Sequence, residues 1–203
     1  MFDDYFRRLK ERLLAPLARR LGPRVTPNAL TWLAAAVGVA CATAASQGRH
    51  GLALLLWWAN RFVDGLDGTQ ARVHGRQSAF GAYLDIVLDF VVYAAIPIAL
   101  ALDAGTATAL QAALLLVAAF YVNAASWMYL AALLEQRRAG AASRGELTSV
   151  TMPAGLVSGT ETVVAYSLFL LLPTHLVPLF AVFALLVLGN VIVRLWWARR
   201  HLA

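Results

Sequence analysis

The stretch DGLDGTQAR at residues 64–72 sets Asp64 and Asp67 three residues apart, with Gly65, Gly68 and Arg72 around them, at the end of an apolar run. A second acidic pair, Asp85 and Asp89, lies inside the apolar GAYLDIVLDF at 81–90. Carboxylates in apolar surroundings are costly unless they are paired, hydrogen-bonded or bound to a cation. On a helix, i,i+3 and i,i+4 spacing projects each pair from one face. Four such charges converging on one gap would protonate or bind cations. Carboxylates without Cys or His select hard divalent ions such as Mg²⁺, Mn²⁺ or Ca²⁺. His50, His74, His175 and His201 are scattered, so zinc is not indicated.

The rest of the chain decides where these acids lie. Of 203 residues, 61% are hydrophobic and 14% charged, whereas soluble domains average about 45–50% and about 25%. This imbalance predicts an all-α integral membrane protein, with residues 1–203 forming one membrane domain. No repeat or low-complexity tract divides it. The single Cys41 excludes a disulfide framework and a thiolate metal site.

Six apolar segments approach the roughly 20 helical residues that span a bilayer core. They lie near 29–47, 51–73, 78–102, 107–135, 155–173 and 176–197. TPNALT opens the first, with Thr26 as N-cap and Pro27 at the first helical position. The start does not read as a signal peptide, because acids and bases mix from residue 3 onward. Phe2, Phe6, Leu9, Leu13, Leu17 and Leu21 recur at helical spacing among basic residues. That pattern predicts an interfacial amphipathic helix over 1–22, with Pro16 as a kink point. Trp57, Trp58, Trp196 and Trp197 suit interfacial or lipid-facing positions.

Arginine and lysine set the expected orientation. Seven of the seventeen precede Val25, and most others flank the same side of the spans, Arg49 excepted. The positive-inside rule then places both termini and the acidic site in the cytoplasm. The net charge of +6 is accounted for by an anionic leaflet, with no nucleic acid partner. Spans two and three, joined by RVHGRQS, are expected to be antiparallel neighbours whose carboxylates face each other. Glu161, in the fifth span, falls near the same depth. Asp89, the deepest of the four aspartates, suits a general base for a hydroxyl. Gly68, Ala71 and Gly81 leave room for a ligand, and Arg72 could contact a phosphate. Phosphates beside carboxylate-held metals form a phosphoryl-transfer arrangement.

The positions Asp64-x2-Asp67-Gly68-x2-Ala71-Arg72-x8-Gly81-x3-Asp85-x3-Asp89 resemble, without departure, the signature of the CDP-alcohol phosphotransferases. The resemblance implies a membrane enzyme that moves a phosphoalcohol group from a CDP-linked donor to an acceptor hydroxyl, releasing CMP. It implies metal ligation by Asp64, Asp67, Asp85 and Asp89, with Asp89 as catalytic base or ligand. Two Mg²⁺ ions are implied, with Mn²⁺ as the alternative. Asp64, Asp67, Gly68, Ala71, Arg72 and Gly81 would bind CDP. CDP-diacylglycerol is the donor implied for a bacterial inner-membrane relative of this size, with a polar alcohol as acceptor and a homodimer as assembly.

Several residues keep two readings. Glu161, Arg137, Arg138 and Arg194 are candidates for the acceptor. Glu161 reads equally as a span-terminal residue paired with Arg137 or Arg138, and Arg194 as a snorkelling side chain. Asn60, Arg61 and Asn123 either line the pocket or satisfy interhelical hydrogen bonds. The competing functions are CDP-choline or CDP-ethanolamine transfer to a lipid alcohol and, in another class, a cation-coupled transporter. Inverted repeats, a frequent transporter signature, are not legible here.

Overall fold

Every secondary-structure element among the described residues is helical. The computed structural model describes residues 2–136 and 157–202, with side chains from Glu11 onward. The α-helices are α1 (Phe2–Leu21), α2 (Pro27–Ser46), α3 (His50–Val73), α4 (Ala79–Ala104), α5 (Ala107–Gln136), α6 (Gly159–Leu171) and α7 (Leu176–Leu202), with a 3₁₀ turn at Pro173–His175.

Local chemistry sets the ends. Thr26 accepts a hydrogen bond from the Ala29 amide at 3.2 Å, and Pro27 opens α2 where no N–H is missed. Ser78 caps α4 through the Gly81 amide at 3.0 Å. Gly105, at φ +64°, takes the left-handed turn that ends α4. Pro16 lies inside α1, which continues past it to Leu21.

Four helical stretches are long and apolar enough to cross a membrane: Pro27–Ser46, Ala79–Ala104, Ala107–Gln136 and Pro173–Leu202. The other two expected spans differ for physical reasons. Helix α3 has 24 residues, but Arg61, Asp64, Asp67 and Arg72 break its apolar run. Helix α6 has 13 residues, short of the roughly 20 that span a bilayer core.

Helix α2 packs against both α3 and α4, which meet each other far less closely. The α3 and α4 backbones stand further apart than either does from α2, and their carboxylates face each other across a crevice, as expected. Ala34, Ala35, Ala42 and Ala45 make the buried face of α2 thin. Where hydrophobic burial gives little drive between helices, small residues permit close packing instead.

Beyond the crevice an aromatic core ties α3 through α7. Trp57 stacks on Tyr166 at 5.1 Å between ring centroids. Phe169 meets Phe180 edge-on at 4.8 Å. Trp57 is fully buried, which corrects its lipid-facing reading; Trp58 and Trp196 are exposed. An apolar run marks depth but not which face of the helix turns inward. Helix α1 buries Leu14 and Ala18 against Leu30 and Leu66, while Leu13 stays exposed. Part of its apolar face thus docks on the bundle.

Candidate active site

The second half of α3 and the first turns of α4 supply the acidic side chains. One oxygen each from Asp64, Asp67 and Asp85 lies within 4.8 Å of the others. Asp67 is buried at 6% exposure, and Thr31 of α2 donates a hydrogen bond to its Oδ2 at 2.7 Å. A buried hydroxyl donor fixes one lone pair of the carboxylate and leaves the other directions to a cation. All-carboxylate donors this close fit a hard divalent ion. Asp64, Asp85 and Asp89 line the crevice with Thr31, Asn60 and Val92.

Asp89 lines the same crevice and has its own cationic partner. Its Oδ1 accepts a hydrogen bond from Arg61 Nη2 at 2.8 Å. Arg61 Nη1 also lies 3.7 Å from Asp64 and donates to the Tyr93 hydroxyl at 2.8 Å. Its Nε donates to Asn60 Oδ1 at 2.7 Å. The guanidinium sits 4.9 Å from the Trp57 ring centroid and 5.1 Å from that of Tyr93. Asp89 therefore has a cation beside it as well as the carboxylates that share its crevice.

Near the C-terminal end of α3, Arg72 Nε donates to Glu11 Oε1 at 3.0 Å, and Nη2 reaches Glu11 Oε2. A Cβ added to Gly68 would lie 3.2 Å from Arg72 Nη1, so the glycine makes room for the guanidinium. A Cβ on Gly81 would meet Asn28 Oδ1 at 3.0 Å, where the starts of α2 and α4 converge. Ala71 is half-buried. Gln70 Nε2 donates to the carbonyls of Gly22 and Val25, both at 2.8 Å, tying the α1–α2 turn to α3.

The acceptor candidates separate. Glu161 closes a capping box with Ser158, accepting from the Ser158 amide at 2.9 Å. It is exposed and not among the clustered acids. Arg194 is buried at 6% exposure, which overturns the snorkelling reading. Its Nη1 donates to Asn123 Oδ1 at 3.0 Å, and its Nε has no partner among the described residues. It borders an open, apolar groove of about 410 Å³ between α5 and α7. Arg137 and Arg138 lie outside the described residues.

Sequence reasoning missed Thr31 and Glu11 as partners of the motif. Thr31 was legible as a polar residue inside an apolar helix. Glu11 gave no signal, because its partner lies 61 residues away.

The described residues form an all-helical bundle with membrane-length apolar helices and a carboxylate cluster that could hold a metal ion. The sequence profile of the CDP-alcohol phosphatidyltransferases matches residues 24–198, and the chain belongs to that family. It is 32% identical over 174 residues to the inner membrane protein YnjF of Escherichia coli (strain K12), covering 86% of this chain and 83% of that one. The fold resembles that of Mycobacterium tuberculosis phosphatidylinositol phosphate synthase. With CDP-DAG bound, that enzyme matches at a TM-score of 0.70 and 23% identity, covering 91% of this chain and 92% of that one. Its complex with manganese and citrate matches at 0.69 and 21%, covering 90% and 87%.

Proposed function

We propose that the chain transfers a phosphatidyl group from CDP-diacylglycerol to the hydroxyl of a polar alcohol, releasing CMP. The observation that carries this reading is the convergence of Asp64, Asp67 and Asp85 from two helices beside a crevice that Asp89 also lines. The CDP-DAG complex of the structural neighbour supports the donor, and its manganese complex supports a divalent ion.

Asp64, Asp67 and Asp85 would hold divalent metal, with Asp89 as the further candidate ligand in a two-ion site of Mg²⁺ or Mn²⁺. Such ions would offset charge on the attacking and leaving oxygens. Gly68, Ala71, Arg72 and Gly81 receive the CDP moiety, with Arg72 contacting its phosphates. Asp89 takes the proton of the acceptor hydroxyl. The hydroxyl oxygen bonds to the lipid-side phosphorus, and the bond from that phosphorus to the bridging oxygen breaks. The bridging oxygen leaves with CMP. Arg194, buried beside an open groove with an Nε that has no partner among the described residues, is the acceptor candidate carried forward.

We place residues 1–203 in one domain of a bacterial inner membrane, with α3 and α6 among six crossings and α1 in the interface. Both termini and the site face the cytoplasm, and two copies form a dimer. Purified protein incubated with CDP-diacylglycerol and a panel of alcohols tests the activity. New phospholipid by mass, with Mg²⁺-dependent CMP release abolished by EDTA, is the expected result. No CMP release with any acceptor would sink the reading.

A further inference from the structure

Helix α7 carries two buried polar side chains one turn apart on one face, Asn190 and Arg194, at 3% and 6% exposure. Arg194 turns to α5, where Asn123 Oδ1 accepts from its Nη1. Asn190 turns to the entry of α6. Its Oδ1 accepts from the Val157 amide at 2.9 Å, and its Nδ2 donates to the Val157 carbonyl at 2.8 Å. One side-chain amide thus holds both backbone groups of the residue before the Ser158 cap.

The residue it holds stands level with the aspartate motif. Trp57 Nε1 of α3 donates to the Val163 carbonyl of α6 at 3.3 Å, which sets these helices side by side. Short turns make α3 and α5 parallel, and contacts of Phe120 with Phe183 and of Asn123 with Arg194 align α5 with α7. The pairs Val157–Asn190 and Phe169–Phe180 run α6 against α7. Helix α6 therefore opposes α3. Val157 precedes Val163, and Asp64 follows Trp57, by close to two turns each, so both fall about 10 Å to the same side of that contact. Arg194 stands one turn further along α7, about 6 Å beyond that level. Helices α3 and α7 hardly touch, whereas α6 packs on both.

We propose that Asn190 is a positioning residue for the acceptor: its grip on Val157 sets how far Arg194 stands from the aspartates of α3. This inference rests on the phosphatidyl-transfer reading and on Arg194 as the acceptor residue within it. An acceptor phosphate held by Arg194 must leave its hydroxyl within reach of the lipid-side phosphorus. The span from Arg194 to the aspartates then decides which alcohols react. The aspartates and Arg72 lie on α3 and α4, which α2 holds in place without that grip. Loss of the grip falls on the acceptor and spares the donor.

Asn190→Leu keeps the volume and deletes both hydrogen bonds. Its thermal midpoint should fall by several degrees, because the Val157 backbone groups lose their partner. With a phosphorylated alcohol that supports wild-type turnover, the acceptor KM should rise about tenfold through a displaced charge-assisted contact. Donor KM should equal wild type, as should Mn²⁺ affinity read from the free-ion signal in electron paramagnetic resonance. The double variant Asn190→Leu with Arg194→Met separates positioning from general damage. If Asn190 acts through Arg194, its acceptor KM should match that of Arg194→Met alone. Asn190→Gln keeps both polar groups on a longer stem, should raise the acceptor KM in the same sense, and replaces Asn190→Leu throughout if that variant fails to fold. Multiplied effects in the double variant, equal rises in donor and acceptor KM, or a wild-type acceptor KM in both Asn190 variants or in Arg194→Met would overturn the proposal. Wild-type turnover with uncharged alcohols only would overturn it too, while leaving phosphatidyl transfer in place. A wild type that releases no CMP with any acceptor defeats the transfer reading itself, and this proposal with it.

Discussion

Glu11 and Arg72 join α1 to the end of α3 by an ion pair, with Arg72 Nε 3.0 Å from Glu11 Oε1. Thr69 adds a third link, donating to Glu11 Oε2 at 3.1 Å. The N-terminal helix therefore reaches the one arginine of the aspartate motif and sets where its guanidinium lies over Gly68.

Glu11→Gln is expected to loosen Arg72 without unfolding the protein. Both side chains are 30% exposed, so the pair contributes at most about 1 kcal/mol to stability. If Arg72 contacts the phosphates of the donor, KM for CDP-diacylglycerol should rise about threefold to tenfold through weakened charge-assisted contacts. Donor-dependent CMP release and a thermal melt check the two halves. An unchanged KM would remove α1 from donor binding.

Thr31→Val keeps shape and deletes the donor that holds Asp67 Oδ2. Groups that orient a metal ligand are typically worth about 10–100-fold in metal affinity. Mn²⁺ affinity should fall about tenfold, and the Mg²⁺ concentration for half-maximal activity should rise with it. Saturating Mg²⁺ should restore most of kcat. A variant whose Mg²⁺ dependence matches wild type would show that Asp67 is oriented without Thr31.

Hydropathy and caps brought much of this architecture within reach of the sequence. Thr26 and Pro27 mark the start of α2 as observed, and the bounds of α3 and α4 differ little from the apolar runs. The aspartate spacing brought Asp64, Asp67 and Asp85 together in advance of any coordinates. What escaped was lateral. Periodicity along one helix does not say that α2 packs against both α3 and α4, nor that Trp57 turns inward while Trp58 turns out. Arg61 and Arg194 were legible as charges in apolar runs, but their partners Asp89 and Asn123 sit on other helices. Glu161 kept two readings, acceptor residue or span-terminal residue, because position alone does not give a side chain's partner. Three residues earlier, Ser158 makes it a helix cap.

Gly38→Ala tests the close packing that supports the crevice wall. An added Cβ would meet Val92 Cγ2 at 2.4 Å, Val92 Cγ1 at 2.8 Å and Asn60 Nδ2 at 3.1 Å. Val92 is buried and branched, so it has little freedom to move aside. Overpacking of this kind costs about 1–3 kcal/mol. The thermal midpoint should fall by several degrees, with kcat reduced because Asn60 and Val92 both line the crevice. A midpoint equal to wild type would show that α2 and α4 can separate at this level without loss.

Arg194→Met removes a buried charge and keeps most of the volume. Arg194 hydrogen-bonds Asn123 across α5 and α7, with Nε unpartnered among the described residues. For a purely structural cation, replacement by an apolar side chain of similar size is often neutral or stabilising. For a cation that receives the acceptor, a lost charge-assisted hydrogen bond of about 1.5–3 kcal/mol becomes a roughly tenfold to hundredfold rise in KM. The expected outcome is that rise for an acceptor bearing a phosphate, with donor KM unchanged and the thermal midpoint close to wild type. An uncharged acceptor should show no such rise, which separates an anion site from general damage to α7. Equal KM values for wild type and Arg194→Met with a phosphorylated acceptor would leave Arg194 a packing residue and move the acceptor site elsewhere.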